Sequence, residues 1–350
     1  RIAELIGHGL GVRLERVDLA GPEANLAIRI RIEFEDPKAA FKAAEDADKV
    51  AAREHRFELG MRWSKDRLTV IAPCDSLVQF VHRTSSIPCV VPDLRPSFNV
   101  CQLETSRFSA GRAGMEYRDL VPDRQGGYAI ASHIFIEKGG PVPDNVHFHQ
   151  VKFQMVYCYR GWVSVVYEDQ GDPFTLYPGD CVLQPPGIRH RVLESSENLE
   201  VVEIACPAEH NTCFDHDMEL PTPHVRPDRE WQGQTFVRHQ RKEAPWASNA
   251  FGLTAGYETQ DLGMEKATGG IARARVIRLA AEGDRVLKPF MPGGGHFQLY
   301  FVLAGTLKVS CDGKEVRLKA GDSVNIPPGK ASQLCVKSPD LEVLEVEIRA

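Results

Sequence analysis

The chain has no C-x-x-C pair, no apolar run long enough to cross a bilayer and no block of like charge. The first absence excludes a zinc ribbon or a thioredoxin-like redox motif. Its nine cysteines (Cys74, Cys89, Cys101, Cys158, Cys181, Cys206, Cys213, Cys311, Cys335) are odd in number and scattered. They read as reduced, mostly buried thiols of a cytoplasmic protein. The second absence excludes a membrane-spanning helix. A secretory signal needs an unbroken apolar stretch, and Glu4, Arg13, Glu15, Arg16 and Asp18 interrupt the first twenty residues. The third absence, with 42 Lys plus Arg against 48 Asp plus Glu and a net charge of -6, argues against nucleic acid or an anionic membrane as partner. A small molecule is the expected ligand. Apolar residues at 43% and charged residues at 26% of 350 exclude disorder, collagen and coiled coil, and leave room for two or three domains.

What the chain does contain is an internal repeat. YRDLVPDRQGGYAIASHIF from Tyr117 matches TQDLGMEKATGGIARARVI from Thr259, aligning Asp119 with Asp261, Leu120 with Leu262, and Gly126-Gly127 with Gly269-Gly270. Further on, KFQMVYCYRGWVSVVYE parallels HFQLYFVLAGTLKVSCD, with Gln154 opposite Gln298 and Gly161 opposite Gly305. YPGDCVLQPPGIRH then parallels KAGDSVNIPPGKAS, and LEVVEI from Leu199 parallels LEVLEV from Leu341. Matched blocks in one order identify a duplicated domain.

Each copy is a series of short Val-, Ile-, Phe- and Tyr-rich runs broken by Gly, Pro or Asp, the pattern of an all-β sandwich or barrel. The two PPG tripeptides, at Pro185 and Pro327, belong in turns because proline cannot donate to a central ladder. The expected barrels are residues 106–206 and 250–350. Residues 207–249, polar, Pro-rich and holding His210, His216, His224 and His239, read as a surface connection. Residues 1–105 stand outside the repeat and read as a small α+β extension packed against the first barrel and lending it strands. ANLAIRIRIEFED, RFELGMRW and RLTVIAP suit strands, and the Ala-, Lys- and Glu-rich stretch opening at Asp36-Pro37 suits a helix.

The candidate chemistry lies in the first repeat. His147 and His149 are two apart, so on a strand both imidazoles face one side and can reach one ion. His190 comes just after the first PPG turn. An H-x-H strand with a third, distant histidine suits a first-row transition metal with coordination positions left open. Gln154 stands near in sequence. His133, on the expected strand YAIASHIF, and Glu194 are further candidates for general acid-base work.

These residues resemble the cupin motifs: Gly, five residues, H-x-H, three or four residues, Glu, six residues, Gly; then Gly, five residues, P-x-G-x-x-H. Here they read GPVPDNVHFHQVKFQMVYCYRG from Gly140 and GDCVLQPPGIRH from Gly179. The resemblance spans residues 106–350 and implies a mainly β bicupin, with tandem double-stranded β-helix (jelly-roll) barrels. Three departures stand out. Gly140 is one residue too distant, Glu194 replaces a frequent Asn, and Gln154 stands where the family usually has Glu. A neutral Gln leaves a three-His centre with the full charge of its ion, favouring anionic substrates such as an enolate, a phenolate or a carboxylate. Gln154 is either a fourth ligand or a hydrogen-bonding neighbour of the ligands.

In the second repeat Met291, Gly293, Gln298 and Ser332 replace His147, His149, Gln154 and His190, and His296 aligns with neither motif. One divalent metal per chain is therefore expected, Fe(II) first, with Zn, Ni or Mn as alternatives. The implied activity is that of a dioxygenase-like oxidoreductase acting on a small enolisable or phenolic anion. A redox-neutral isomerase, lyase or hydrolase and a non-catalytic binding bicupin are the other two classes, and a homodimer is the expected assembly.

Overall fold

In Phe153–Arg160, alternate residues turn to opposite sides of one strand: Phe153, Met155, Tyr157 and Tyr159 enter one apolar cluster, Val156 and Cys158 another. Both faces are covered, so this strand lies between two cores rather than between a core and water. The computed structural model describes residues 89–216, 218–248, 256–280, 296–330 and 332–349, together with the backbone of Pro289–Phe290 and of six strands within residues 3–82.

In the first barrel a seven-stranded sheet runs Val237–His239, Cys181–Leu183, Phe153–Arg160, Leu199–Cys206, Ile130–Ile136, Glu116–Asp119, Ser109–Ala110. Facing it, Phe174–Leu176, Val163–Tyr167, His190–Ser195 and His147–His149 lie side by side in a second sheet. The second barrel repeats this plan. Its seven-stranded sheet runs Asn99–Cys101, Ser323–Asn325, Phe297–Ala304, Glu342–Ile348, Ala272–Leu279, Tyr257–Asp261, Ala247–Ser248. Opposite lie Pro289–Phe290, Ser332–Val336, Thr306–Cys311 and Lys314–Lys319. The aligned turn glycines do matching work. Gly161 and Gly305 both have positive φ, and a Cβ would meet Ser196 Oγ at 2.3 Å in one and Leu341 backbone at 2.8 Å in the other.

The edges of the long sheets differ from the expected boundaries. Asn99–Cys101, read as part of the N-terminal extension, pairs with Ser323–Asn325 of the second barrel rather than with the first. Val237–His239, read as surface connection, pairs with Cys181–Leu183 of the first. Each barrel thus receives its edge strand from the segment preceding the other, which covers an otherwise open edge. The outer faces of the long sheets share one core, in which Phe153, Met155 and Leu183 lie with Phe297, Phe301 and Leu344. The barrel interiors form separate clusters around Val165 and Leu176, and around Tyr300 and Leu334.

A buried cation ties the two repeats. Arg118, 1% exposed, donates to Ser106 Oγ at 3.1 Å, to His133 Nδ1 at 2.8 Å and to the Gly321 carbonyl of the second barrel. His133 Nε2 lies 2.7 Å from Glu200 Oε2.

Residues 1–88 with Cys213–His216 form a unit of their own. Its strands, Ala3–Gly7, Leu10–Arg16, Ile28–Phe34, Gly60–Ser64, Arg67–Ile71 and Leu77–His82, make one sheet in which Ile28–Phe34 and Leu77–His82 pair in parallel. The helix expected from Asp36 lies outside the described residues.

Replacing Arg118 by Met leaves the buried His133 Nδ1 and the Gly321 carbonyl without their donor. Stability is expected to fall by about 2 kcal/mol, the cost of buried acceptors left unsatisfied, read as a lower urea midpoint at unchanged m-value.

Candidate metal centre

His147–His149 is a three-residue strand whose outer members face the same side, while Phe148 turns away beneath the Arg189 guanidinium, 4.4 Å from the ring centroid. The PPG turn ends with Gly187 donating to the His149 carbonyl, and the next strand starts at His190 in register with His147. Ring centroids are 4.3 Å apart for His147 and His190, 5.1 Å for His147 and His149, and 5.3 Å for His149 and His190. One nitrogen of each lies within 4.8 Å of the others, and all three side chains are buried.

The outward nitrogens are held. His147 Nδ1 meets the Asn145 carbonyl at 2.8 Å, His190 Nδ1 the Ile188 carbonyl at 3.1 Å, and His149 Nδ1 the Thr212 hydroxyl at 3.1 Å. A carbonyl can only accept, so in His147 and His190 the proton sits on Nδ1 and the Nε2 lone pair points inward. Arg112 Nη2, 2.9 Å from His147 Nε2, donates into that lone pair, a contact that an ion held by the three histidines would replace, freeing the guanidinium for the cavity it lines. Burial, reinforced by mutual repulsion, holds His149 and His190 well below the usual imidazole range, and burial lowers His147 too. Three neutral imidazoles with aligned donor atoms fit a divalent transition metal.

A family model described as the cupin domain matches residues 290–344. Among solved structures, the chain is similar to an oxalate decarboxylase variant from B. subtilis (12% identity, TM-score 0.52, covering 75% of this chain and 78% of that one). It is also similar to the protein Ylba from E. coli (11%, 0.51, 74% and 93%). A third is a putative glyoxylate-induced protein from Pseudomonas aeruginosa (11%, 0.52, 75% and 92%). The fold of this chain is that of a bicupin. No curated protein matches the sequence.

The first barrel of this bicupin holds a partly open cavity of about 80 Å³ lined in part by the histidines, room for a few waters or a small acid. Ile134, Ile136, Val163, Val165, Leu176 and Val201 make most of its wall, and Arg112, Tyr117, Gln184 and Glu203 supply polar groups. Arg112 also pairs with buried Asp144 at 2.9 Å.

The remaining candidates fall in different places. Gln154 is buried, and its amide donates to Glu203 Oε1 at 2.6 Å. His133 does not share the cavity. Its neighbours Ile134 and Ile136 line it, and strand alternation turns His133 to the opposite face, among Arg118, Phe301 and Glu200. Burial lowers its pKa, and it serves the contact between barrels. Glu194 is exposed. A bulge shifts the register between Val192 and Glu194, so Val192 lines the cavity and Glu194 turns out. Glu203, Arg112 and Tyr117 escaped the motif reading. The available sign for Glu203 was an acidic residue at an inward position of LEVVEI, in phase with Leu199 and Val201.

In the second barrel Met291 and Gly293 lie outside the described residues, Ser332 donates to the Lys330 carbonyl, and His296 is exposed. Among the described residues His147, His149 and His190 form the one cluster of metal-binding character. Cys158 is buried and its thiol is pushed up to about 12, and Cys89, Cys101, Cys181, Cys206, Cys311 and Cys335 are, like it, outside any disulfide. No helix among the described residues is long and apolar enough to cross a membrane.

Elemental analysis is expected to find near one divalent metal per chain. His147→Ala or His190→Ala should lose it with the fold intact, whereas Ser332→Ala retains it. Metal loss in Ser332→Ala would overturn the single-site arrangement. The metal-free protein should also weaken in acid. Between the ordinary imidazole pKa of about 6.5 and the depressed folded values, the unfolded chain binds protons that the folded histidines refuse. Stability therefore falls as pH drops through that window, measurable as a declining Tm.

Proposed function

We propose that the first barrel is the site of a metal-dependent oxygenase that acts on a small anionic, enolisable or phenolic substrate, with one Fe(II) per chain held by His147, His149 and His190. The observation that carries this reading is the donor set: three neutral imidazoles converge, and Gln154, a neutral amide, stands at the motif position where cupins usually carry Glu. Such a centre keeps its full positive charge and draws anionic ligands. The ion, when bound, would supply Lewis acidity and, as Fe(II), one-electron chemistry towards O₂.

The chain's own residues do the rest. Arg112, the cation lining the cavity, binds and orients the anionic end of the substrate with a directed, charge-assisted hydrogen bond. The aliphatic wall excludes water, which strengthens that pairing and protects an oxidisable substrate. Asp144 fixes the guanidinium at 2.9 Å and accepts from Val192 N at 3.0 Å, which ties Arg112 to the strand carrying His190. The Asn145 and Ile188 carbonyls keep the His147 and His190 lone pairs aimed inward, and the Thr212 hydroxyl holds the His149 ring in place.

A second reading has one observation in its favour. Lewis-acid isomerisation, lyase or hydrolase chemistry needs a carboxylate or imidazole base near the substrate, and Glu203 lines the cavity. Oxygen uptake separates the two. Anaerobically iron-loaded protein, supplied with small enolisable and phenolic acids and then air, is expected to consume O₂ in proportion to substrate, and His190→Ala is expected to consume none. Arg112→Leu should raise KM about tenfold, the worth of one hydrogen bond to a charged group. Conversion of substrate by the zinc or manganese form without O₂ uptake would replace the oxygenase with the redox-neutral enzyme. Metal binding without turnover of any such acid would leave a ligand-binding bicupin.

A further inference from the structure

The duplication allows each position of the site to be compared with its twin in the second barrel, and one pair has diverged in its surroundings. Glu203 and Glu345 occupy the same place in the LEVVEI and LEVLEV blocks. Each is flanked across the sheet by equivalent strands, and the register names the neighbours. Glu345 faces Arg275 on one side and Tyr300 on the other. Glu203 faces Ser132 and Val156.

The consequences are opposite. Glu345 is 2% exposed and fully met: Arg275 Nε donates to one oxygen, and the Tyr300 hydroxyl to the other at 2.7 Å. That carboxylate is internal structure. Glu203 has no ion-pair partner among the described residues. Its carboxylate accepts from the neutral Gln154 amide and borders the cavity that holds the three histidines and Arg112. A carboxylate kept on an apolar wall without a counter-charge costs stability unless something else meets it. An ionised carboxylate can only accept, and a ligand hydroxyl is a donor that it binds in a short, charge-assisted bond.

We propose that Glu203 is the substrate-selecting residue of this site, and that the site takes a small monoanion bearing a hydroxyl, with the anionic end at Arg112 and the hydroxyl donating to Glu203. The inference rests on the metal-site reading above. Charge supports a single negative charge on the ligand: a divalent ion and Arg112 outweigh Asp144 and Glu203 by one positive charge. Size suits a small acid, since the partly open cavity offers about 80 Å³.

The test uses glycolate and acetate, which differ by the hydroxyl, binding to the full-length protein loaded with Co(II) and followed by the visible spectrum. Wild type should bind glycolate at least about tenfold more tightly than acetate. In Glu203→Ala the preference should shrink to about twofold, with metal stoichiometry unchanged. Glycolate can also chelate the ion through its hydroxyl, so the loss of preference in the variant, rather than the preference itself, decides the matter. An undiminished preference in Glu203→Ala overturns the assignment and leaves the metal site standing. Failure of wild type to take up metal overturns both.

Thermal unfolding gives a readout independent of the metal. Glu345→Gln should lower Tm by roughly 5 °C or more, whereas Glu203→Gln should leave Tm unchanged or raised. An equal fall in both would make Glu203 a structural carboxylate like its twin and overturn the proposal.

Discussion

Strand alternation governs this protein because the seven-stranded sheets are buried on both faces. One face of each closes its own barrel, and the other packs against the sister barrel in a shared core. A side chain's function is therefore set by parity along its strand. Gln154, Val156 and Cys158 look into the barrel, while Phe153, Met155 and Tyr157 look at the other repeat. Glu203 lines the cavity, and Val202 and Ile204 beside it hold the two repeats together. A change of one residue in register would exchange the cavity wall for the inter-barrel contact.

The same constraint explains which features were legible in the sequence. His147, His149 and His190 could be found because their spacing carries the geometry. An H-x-H on a strand must present both rings to one side, and a PPG turn sets where the next strand begins. The repeat was legible because turns need particular residues, as Gly161 and Gly305 show. His133 and Glu194 could not be placed by residue type alone. Both belong to strands that line the cavity, but one has the wrong parity and the other sits beyond a bulge that resets it. A bulge leaves no mark that distinguishes Leu193 from an ordinary strand residue. The exchange of edge strands was equally hidden, since Asn99–Cys101 and Val237–His239 are three residues each and pair with partners far along the chain.

Two fates of one inherited carboxylate arise from the residues beside it. Glu345 is met by Arg275 and Tyr300, so the second barrel holds satisfied polar groups at this position. The first barrel keeps small or apolar neighbours around Glu203, leaving its charge to be met by a ligand. Burying the full complement of Arg, Tyr and Glu makes one barrel self-sufficient, and leaving the carboxylate short of partners keeps the other receptive.

The second barrel, though it lacks the three histidines, is not dispensable to the first. Phe153, Met155, Tyr157 and Leu183 would face water without Phe297, Phe301 and Leu344 opposite them, and Arg118 would lose the Gly321 carbonyl. Gln154, which positions Glu203, lies on the same strand as three of those aromatic and methionine contacts. That strand is packed on both faces. Precision in the first barrel thus depends on packing supplied by the second, which gives a copy without ligands a physical reason to persist.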